Sequence, residues 1–209
     1  PLAIHHAGKN FEFVDIDQET WRPVFSDMDE NLVDVLPFGD ELDFSRFRKK
    51  PLKNLVIDGA ASFAALARPL PITEHRYALI VSLHATKLLP AGEGAVMVTN
   101  DLDWANRFRA WANFGFTRER SAILCGVNAK LSEYSVAVTL ASLDKFSETI
   151  QVMATVQKSA MGTSSALGLK THPSMQKGLT TPYWIIQFKN AVEKLRARTI
   201  LEESGVQTR

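Results

Sequence analysis

The chain has 209 residues, of which 45% are hydrophobic and 22% charged, and a net charge of +1. This composition is typical of a globular, water-soluble protein, and the near-zero charge gives no attraction to nucleic acid or to an anionic membrane surface. No apolar run approaches the ~18 residues that cross a bilayer. The single cysteine, Cys125, excludes an internal disulfide and a thiolate metal cluster, and residues 1–8 lack the features of a signal peptide. Together these features favour a cytoplasmic protein.

The two ends of the sequence favour an interior fragment of a longer chain. Pro1 stands where an initiator methionine is expected, shortly before a strand-like run. The last residues, Gln207-Thr208-Arg209, directly follow a helix-like stretch and a glycine turn. We interpret both as cuts within a folded region.

In chain order, the first half of the sequence is dominated by short segments with the composition of β-strands. Some alternate apolar and polar residues, and others are continuous apolar runs of the kind found in buried strands. These segments are residues 11–17, 32–36, 54–58, 77–82 and 95–99.

The second half is predicted to be mostly helical. Asp101 is a good N-cap for a helix that runs to about Asn113. A longer amphipathic helix is expected from Ser132 to about Val152, whole or in pieces. A Gly/Ser-rich stretch, a strand over 181–188 and a helix over 190–203 follow.

This mixture of buried strands and helices predicts an α/β fold with a mostly parallel central sheet. The composition changes near residues 150–165, so we place the domain boundary there, with residues 1–152 in one part and 153–209 in the next.

Three polar residues stand at or just beyond the ends of two predicted buried strands. Asp58 ends one strand, Ser82 ends the next, and Lys87 follows five residues later. Strand ends are where α/β sheets place ligands. Pyridoxal phosphate needs a lysine amine for its aldehyde, a carboxylate for its pyridine nitrogen and donors for its phosphate, and these three residues supply that set. Lys87, once released from the cofactor, could also move the substrate proton.

Each of these residues alone has an ordinary structural explanation. An aspartate or serine at a strand end is often a cap or turn former, and a single lysine is most often solvated. His84 is equally compatible with packing and with a role in the site. His5-His6 lacks carboxylate or cysteine partners, so no metal site is predicted. Gly92-Glu-Gly94 is a tight turn and fits no Gly-rich phosphate-loop pattern.

The order of the motifs resembles that of the DegT/DnrJ/StrS family of sugar aminotransferases, which are type I pyridoxal-phosphate enzymes. The resemblance covers most of the chain and is weakest over about 155–180. It rests on Phe13-Val-Asp-Ile-Asp17, Val56-Ile-Asp-Gly-Ala-Ala-Ser62, Val81-Ser-Leu-His-Ala-Thr-Lys87 with Gly92-Glu-Gly94, Asn113-Phe-Gly-Phe116 and Gly126-Val-Asn-Ala-Lys-Leu-Ser-Glu133.

The resemblance implies a role for each site residue. Lys87 would hold pyridoxal 5'-phosphate as an imine, Asp58 would meet the pyridine nitrogen and Ser82 would contact the phosphate. Asn128 would reach the phosphate in the neighbouring subunit, which implies a homodimer with shared active sites. The fold implied is the large domain of a type I aminotransferase followed by part of a small α+β domain. The substrates implied are an amino-acid donor, usually glutamate, and a nucleotide-linked keto sugar used for polysaccharides or glycosylated natural products.

The sequence departs from the family pattern at two points. Ala61 stands where the family usually has a glutamine or histidine that helps hold the cofactor ring. The glycine-threonine phosphate loop and the ring-stacking aromatic have no counterpart. The alternatives are therefore a non-catalytic relative that keeps the fold, or another type I enzyme that acts on an amino acid. A same-family dehydratase with histidine in place of the lysine is disfavoured by Lys87.

Overall fold

The computed structural model describes residues 1–25, 31–47, 52–66, 69–70, 72–119, 121–178 and 180–208. Its main sheet has four strands in the order β1-β2-β3-β4. They are β1 Asn31–Val35, β2 Asn54–Asp58, β3 Tyr77–Ser82 and β4 Ala95–Thr99. The first three strands run parallel and β4 runs antiparallel to β3. The prediction of an α/β fold with a mostly parallel sheet is confirmed, and β2, β3 and β4 have the predicted bounds.

The two faces of this sheet differ in burial. Alternate residues of β2 and β3, among them Leu55, Ile57, Leu79 and Val81, are almost fully buried. They form the core with Tyr77 at the start of β3 and with side chains from the segments around the strands, namely Leu36, Phe44, Phe47 and Leu52. On the opposite face, Val33 is 48% and Val35 is 47% exposed. We call this second face the outer face of the sheet.

The helices lie mainly in the second half of the chain. They are α1 Leu2–His6, α2 Phe63–Leu66, α3 Leu102–Ala112, α4 Glu133–Asp144, α5 Phe146–Ala166, α6 Pro173–Gln176 and α7 Ala191–Glu203. The N-cap predicted at Asp101 is present, because its Oδ1 accepts a hydrogen bond from Trp104 N at 2.7 Å. Ser132 caps α4 in the same way, with Ser135 N as donor. No helix among the described residues is long and apolar enough to cross a bilayer.

The predicted strand over residues 11–17 is wrong. Its β pairing within the described chain is limited to one isolated antiparallel bridge, between Ile16 and Pro23. Phe13 is 81% exposed, so the alternating apolar side chains have no core to cover. A strand needs a paired neighbour as well as an alternating pattern.

The C-terminal part departs from the prediction in two places. The expected strand over 181–188 is reduced to β6 Ile186–Gln187, which pairs antiparallel with β5 Lys170–Thr171. Helix α5 continues through the Gly/Ser-rich stretch to Ala166. The division predicted between residues 152 and 153 thus lies within α5, and it stays a prediction.

Candidate functional site

Asp58 and Ser82 lie at the carboxyl ends of two adjacent parallel strands, on the same face of the sheet. Asp58 is paired with Ile80, and Ser82 follows two residues later. Because strand side chains alternate between faces, Asp58, Ile80 and Ser82 all project from the outer face. Asp58 is exposed, and its Oδ1 accepts a hydrogen bond from Ala60 N at 3.0 Å. The two side chains are thus diagonal neighbours, and one small ligand can reach both.

Ser82 begins the turn that carries Lys87. Its Oγ accepts a hydrogen bond from His84 N at 3.2 Å, so its hydroxyl proton remains available to a ligand. Beyond it, Leu83 N donates to Gly94 O at 2.9 Å and Ala91 N donates to Leu83 O at 2.7 Å. These bonds close residues 83–94 into a compact loop between β3 and β4.

The Lys87 ammonium has no hydrogen bond or ion pair with any described residue. Its backbone N–H donates to His84 O at 2.9 Å, so the residue itself is held in place. A half-buried lysine with a fixed backbone and a free amine can react with a bound aldehyde.

Lys87 lines an open groove of about 440 Å³ between its own loop and the junction of α4 with α5. The groove is lined by Thr86, Lys87, Leu88, Pro90, Ala141, Ser142, Lys145, Thr149, Met153 and Pro182. Neither Asp58 nor Ser82 belongs to this lining, so the described structure joins Lys87 to the other two residues through the loop and not through one cavity. Nothing in the sequence marks Lys145 as a site residue, because a lysine between two helices belongs to no recognisable motif.

Asn128 lies on an exposed, hydrogen-bonded loop that follows α3. It forms an antiparallel bridge with Asn113, and Phe114 N donates to Val127 O at 2.9 Å. Lys130 Nζ donates to Asn113 Oδ1 at 2.8 Å. The Asn128 side chain is exposed and forms no hydrogen bond with Asp58, Ser82 or Lys87. Within the described structure it does not join them.

A segment from the C-terminal part lies close to the strand ends. The Thr181 hydroxyl donates to Phe38 O, and its N–H donates to Gln157 Oε1 at 3.1 Å. A Cβ on Gly39 would lie 3.1 Å from Ala61 O and 3.2 Å from Thr181 Oγ1, and Gly39 has φ +88. Only glycine allows this close approach, which brings residues after β1, β2 and α6 together. No local pattern in the sequence indicates this contact.

His172 anchors the same segment. It is 1% exposed and its ring meets Trp21 at 5.0 Å and Phe38 at 5.5 Å, edge to face in both pairs. Burial lowers the pKa of His172, against the opposing field of Asp40. The neutral ring therefore acts as a packing element next to the site.

Comparison with known proteins decides the family. The model of the DegT/DnrJ/EryC1/StrS aminotransferase family matches residues 39–209. The chain belongs to this family. Protein Rv3402c of Mycobacterium tuberculosis (strain ATCC 25618 / H37Rv) is 31% identical over 146 residues, which cover 63% of this chain and 35% of the relative.

Two relatives are described by their chemistry. The dTDP-4-amino-4,6-dideoxy-D-glucose transaminase of Shigella dysenteriae is 28% identical over 90 residues, covering 43% of this chain and 24% of the enzyme. DesI, whose structure was determined in the presence of its TDP-sugar product, superposes with a TM-score of 0.79 and 27% identity. The match covers 100% of this chain and 57% of DesI. The chain thus spans little more than half of DesI and matches about a third of Rv3402c.

Ala61 is the point at which the sequence departs from the expected DegT/DnrJ/EryC1/StrS pattern, which usually has glutamine or histidine at this position. The adjacent Ser62 does not replace it. Ser62 is 2% exposed, and its Oγ donates a hydrogen bond to Leu36 O at 3.5 Å. The Ser62 hydroxyl is therefore used in a buried hydrogen bond and does not reach a ligand over the outer face.

Proposed function

We propose that this protein is a pyridoxal-phosphate-dependent aminotransferase that moves an amino group from an amino acid to a nucleotide-linked keto sugar. Glutamate is the proposed donor. The observation that carries the proposal is the placement of Asp58 and Ser82 as diagonal neighbours on the outer face, with Lys87 on the loop that Ser82 begins. The family and the TDP-sugar product of DesI support the substrate class.

The residues at the strand ends fit the chemical groups of the cofactor. When bound, pyridoxal phosphate would supply an electron sink for the bond broken at the amino-acid α-carbon. The exposed carboxyl group of Asp58 would hold a proton on the ring nitrogen. Ser82 would donate its hydroxyl proton to the phosphate, since its oxygen already accepts from His84 N. Lys87 would bind the aldehyde carbon and, when released, hold and return the substrate proton at Nζ.

The cofactor assignment is tested by titrating the protein with pyridoxal phosphate and following the visible absorption of the lysine-bound form. Wild type should develop the band and Lys87→Ala should not, whereas Lys145→Ala, altered in the same groove, should behave as wild type. Absence of the band in wild type would favour a non-catalytic relative.

The substrate class has its own test. Glutamate with a nucleotide-linked keto sugar should yield 2-oxoglutarate, and Lys87→Ala should yield none. If only amino-acid substrates react, another type I chemistry on an amino acid replaces the sugar assignment.

We also propose a homodimer in which Asn128 completes the partner's site. Large apolar side chains are exposed on the Asn128 loop, with Phe114 at 48% and Ile123 at 62%. Uncovered apolar surface of this kind is typical of interfaces.

Shared sites make a sharp prediction for mixed variants. Lys87→Ala and Asn128→Ala should each be inactive alone. Mixed and reassociated, they should recover up to about a quarter of wild-type activity, since each heterodimer keeps one intact site. Recovery of none, with heterodimers present, would contradict shared sites.

A further inference from the structure

The turn from Ser82 to Lys87 is built from two consecutive side-chain caps. Ser82 Oγ accepts a hydrogen bond from His84 N at 3.2 Å. His84 Nδ1 in turn accepts from Thr86 N at 3.2 Å, with Thr86 Oγ1 at 2.9 Å. Each side chain thus holds the backbone N–H two residues later, which is how polar side chains fix tight turns.

These bonds determine the tautomer of the His84 ring. Because Nδ1 accepts from Thr86 N, the proton of the neutral ring lies on Nε2. Nε2 is 3.5 Å from Glu93 Oε1, on the far side of the same loop. The carboxylate therefore favours the tautomer that leaves Nδ1 free to accept, although Glu93 is 83% exposed and solvent weakens its effect.

Lys87 is the next residue after this pair of caps. Its N–H donates to His84 O at 2.9 Å, so His84 holds the turn through its ring at Thr86 and through its carbonyl at Lys87. The position of the backbone from which the Lys87 side chain extends is consequently set by the conformation of residue 84 and its ring.

We propose that His84 is a positioning residue for Lys87. The Nδ1 atom of His84 fixes the turn that presents the Lys87 amine to the cofactor aldehyde. The inference rests on the proposed function. The covalent step is a condensation in which the amine nitrogen bonds to the aldehyde carbon and the carbonyl oxygen leaves as water. His84 does not take part in that exchange and acts only by holding Thr86.

The chain contains the same arrangement at a second place, which supplies a control. His172 Nδ1 accepts from Ser174 N at 3.2 Å, with Ser174 Oγ at 2.7 Å, and caps α6. Loss of His172 should reduce stability without changing which lysine reacts. A purely structural role of His84 would give the same result as His172.

The test measures which lysine reacts. The protein is incubated with pyridoxal phosphate, reduced with borohydride and digested, and the label on Lys87 and on Lys145 is quantified by mass spectrometry. Both amines lack ion partners in the described structure and line the same groove. Wild type should label Lys87 in strong preference to Lys145.

Three replacements of His84 distinguish the role of its Nδ1 from that of its Nε2. His84→Leu removes the acceptor and should lower the Lys87 to Lys145 ratio about tenfold, as expected for loss of one hydrogen bond. The amide of His84→Gln reaches the Nε2 position and not the Nδ1 position, so this variant should lower the Lys87 to Lys145 ratio as well. His84→Asn places an oxygen at the Nδ1 position and should retain the ratio to within about threefold.

The controls keep the possible failures distinct. His172→Leu should lower the melting temperature and leave the labelling ratio unchanged, and circular dichroism shows which variants are folded. An unchanged ratio in folded His84→Leu or His84→Gln would overturn the positioning role, as would equal losses in the Asn and Leu variants. Wild type without preference for Lys87 would overturn the proposed function, and this inference with it.

Discussion

Asp58 and Ser82 leave the sheet on the same face, one residue pair apart across two parallel strands, because Asp58 is in register with Ile80. Both are at the carboxyl ends of their strands, and both have part of their hydrogen-bonding capacity unused. A ligand that contacts the two must lie over the edge of the outer face, away from the core formed by Leu55 and Leu79. This relationship allows the two residues to be tested separately.

Replacement of Asp58 by Asn should weaken cofactor binding and leave stability almost unchanged. The amide oxygen can still accept from Ala60 N, whereas the negative charge opposite the ring nitrogen is lost. A hydrogen bond to a charged group contributes about 1.5–3 kcal/mol, so we expect about 10- to 100-fold weaker binding. Cofactor titration and a thermal melt measure the two effects. Unchanged affinity would exclude Asp58 as the partner of the ring.

Ser82→Ala should weaken cofactor binding by removing a hydrogen bond to the phosphate group. The variant is expected to lose about 10-fold or more in affinity for pyridoxal phosphate, and less for pyridoxal, which has no phosphate. The informative quantity is the ratio of the two affinities, since a general disturbance of the turn would weaken both equally. A ratio equal to that of wild type would place the phosphate elsewhere.

Gly126 should tolerate no side chain. A Cβ there would lie 2.2 Å from Gly115 N and 2.6 Å from Trp111 O, both backbone atoms that cannot move aside. We expect Gly126→Ala to destabilise the protein by more than about 2 kcal/mol and to disturb the Asn128 loop.

Gly162 provides the matched control for that substitution. A Cβ at this position in α5 meets nothing within 4 Å. Gly162→Ala should therefore stabilise the protein by about 0.5–1 kcal/mol. Urea unfolding of the two variants gives both values, and similar effects would contradict the packing described around Gly126.

The sequence was sufficient where local pattern and tertiary structure agree. Strands β2 to β4 and the cap at Asp101 follow from apolar runs and from one carboxylate before a helix. The sequence predicted the strand ends but not the strand order, and it is the pairing of β2 with β3 that places Asp58 and Ser82 at the same edge. Their roles, and those of Lys87 and Asn128, stay predictions.

Long-range contacts are the part that local patterns could not reveal. The segment 11–17 has a strand-like pattern but no adjacent strand to pair with. Gly162 does not interrupt α5, because this helix is stabilised by its packing against α4, β5 and α6. The approach of Thr181 to Phe38 and Ala61 joins residues more than 100 positions apart, and no local pattern encodes it.

The pH dependence of stability tests the buried state of His172. Burial lowers its pKa from the ordinary value of 6.5, so the folded protein resists protonation there while the unfolded chain does not. The contribution to stability is complete above about pH 6.5 and is lost as the pH falls below that value.

His172→Asn removes the titrating ring and keeps an oxygen that can accept from Ser174 N. The variant should be less stable than wild type at neutral pH, because contacts with Trp21 and Phe38 are lost. Between about pH 7.5 and about pH 5.5 it should lose less stability than wild type does. His75, whose pKa is also lowered by burial, is present in both proteins and cancels from the difference. Urea midpoints at the two pH values measure the slopes. Equal slopes would mean that His172 is protonated as readily in the folded protein as in the unfolded chain, and would contradict its burial between Trp21 and Phe38.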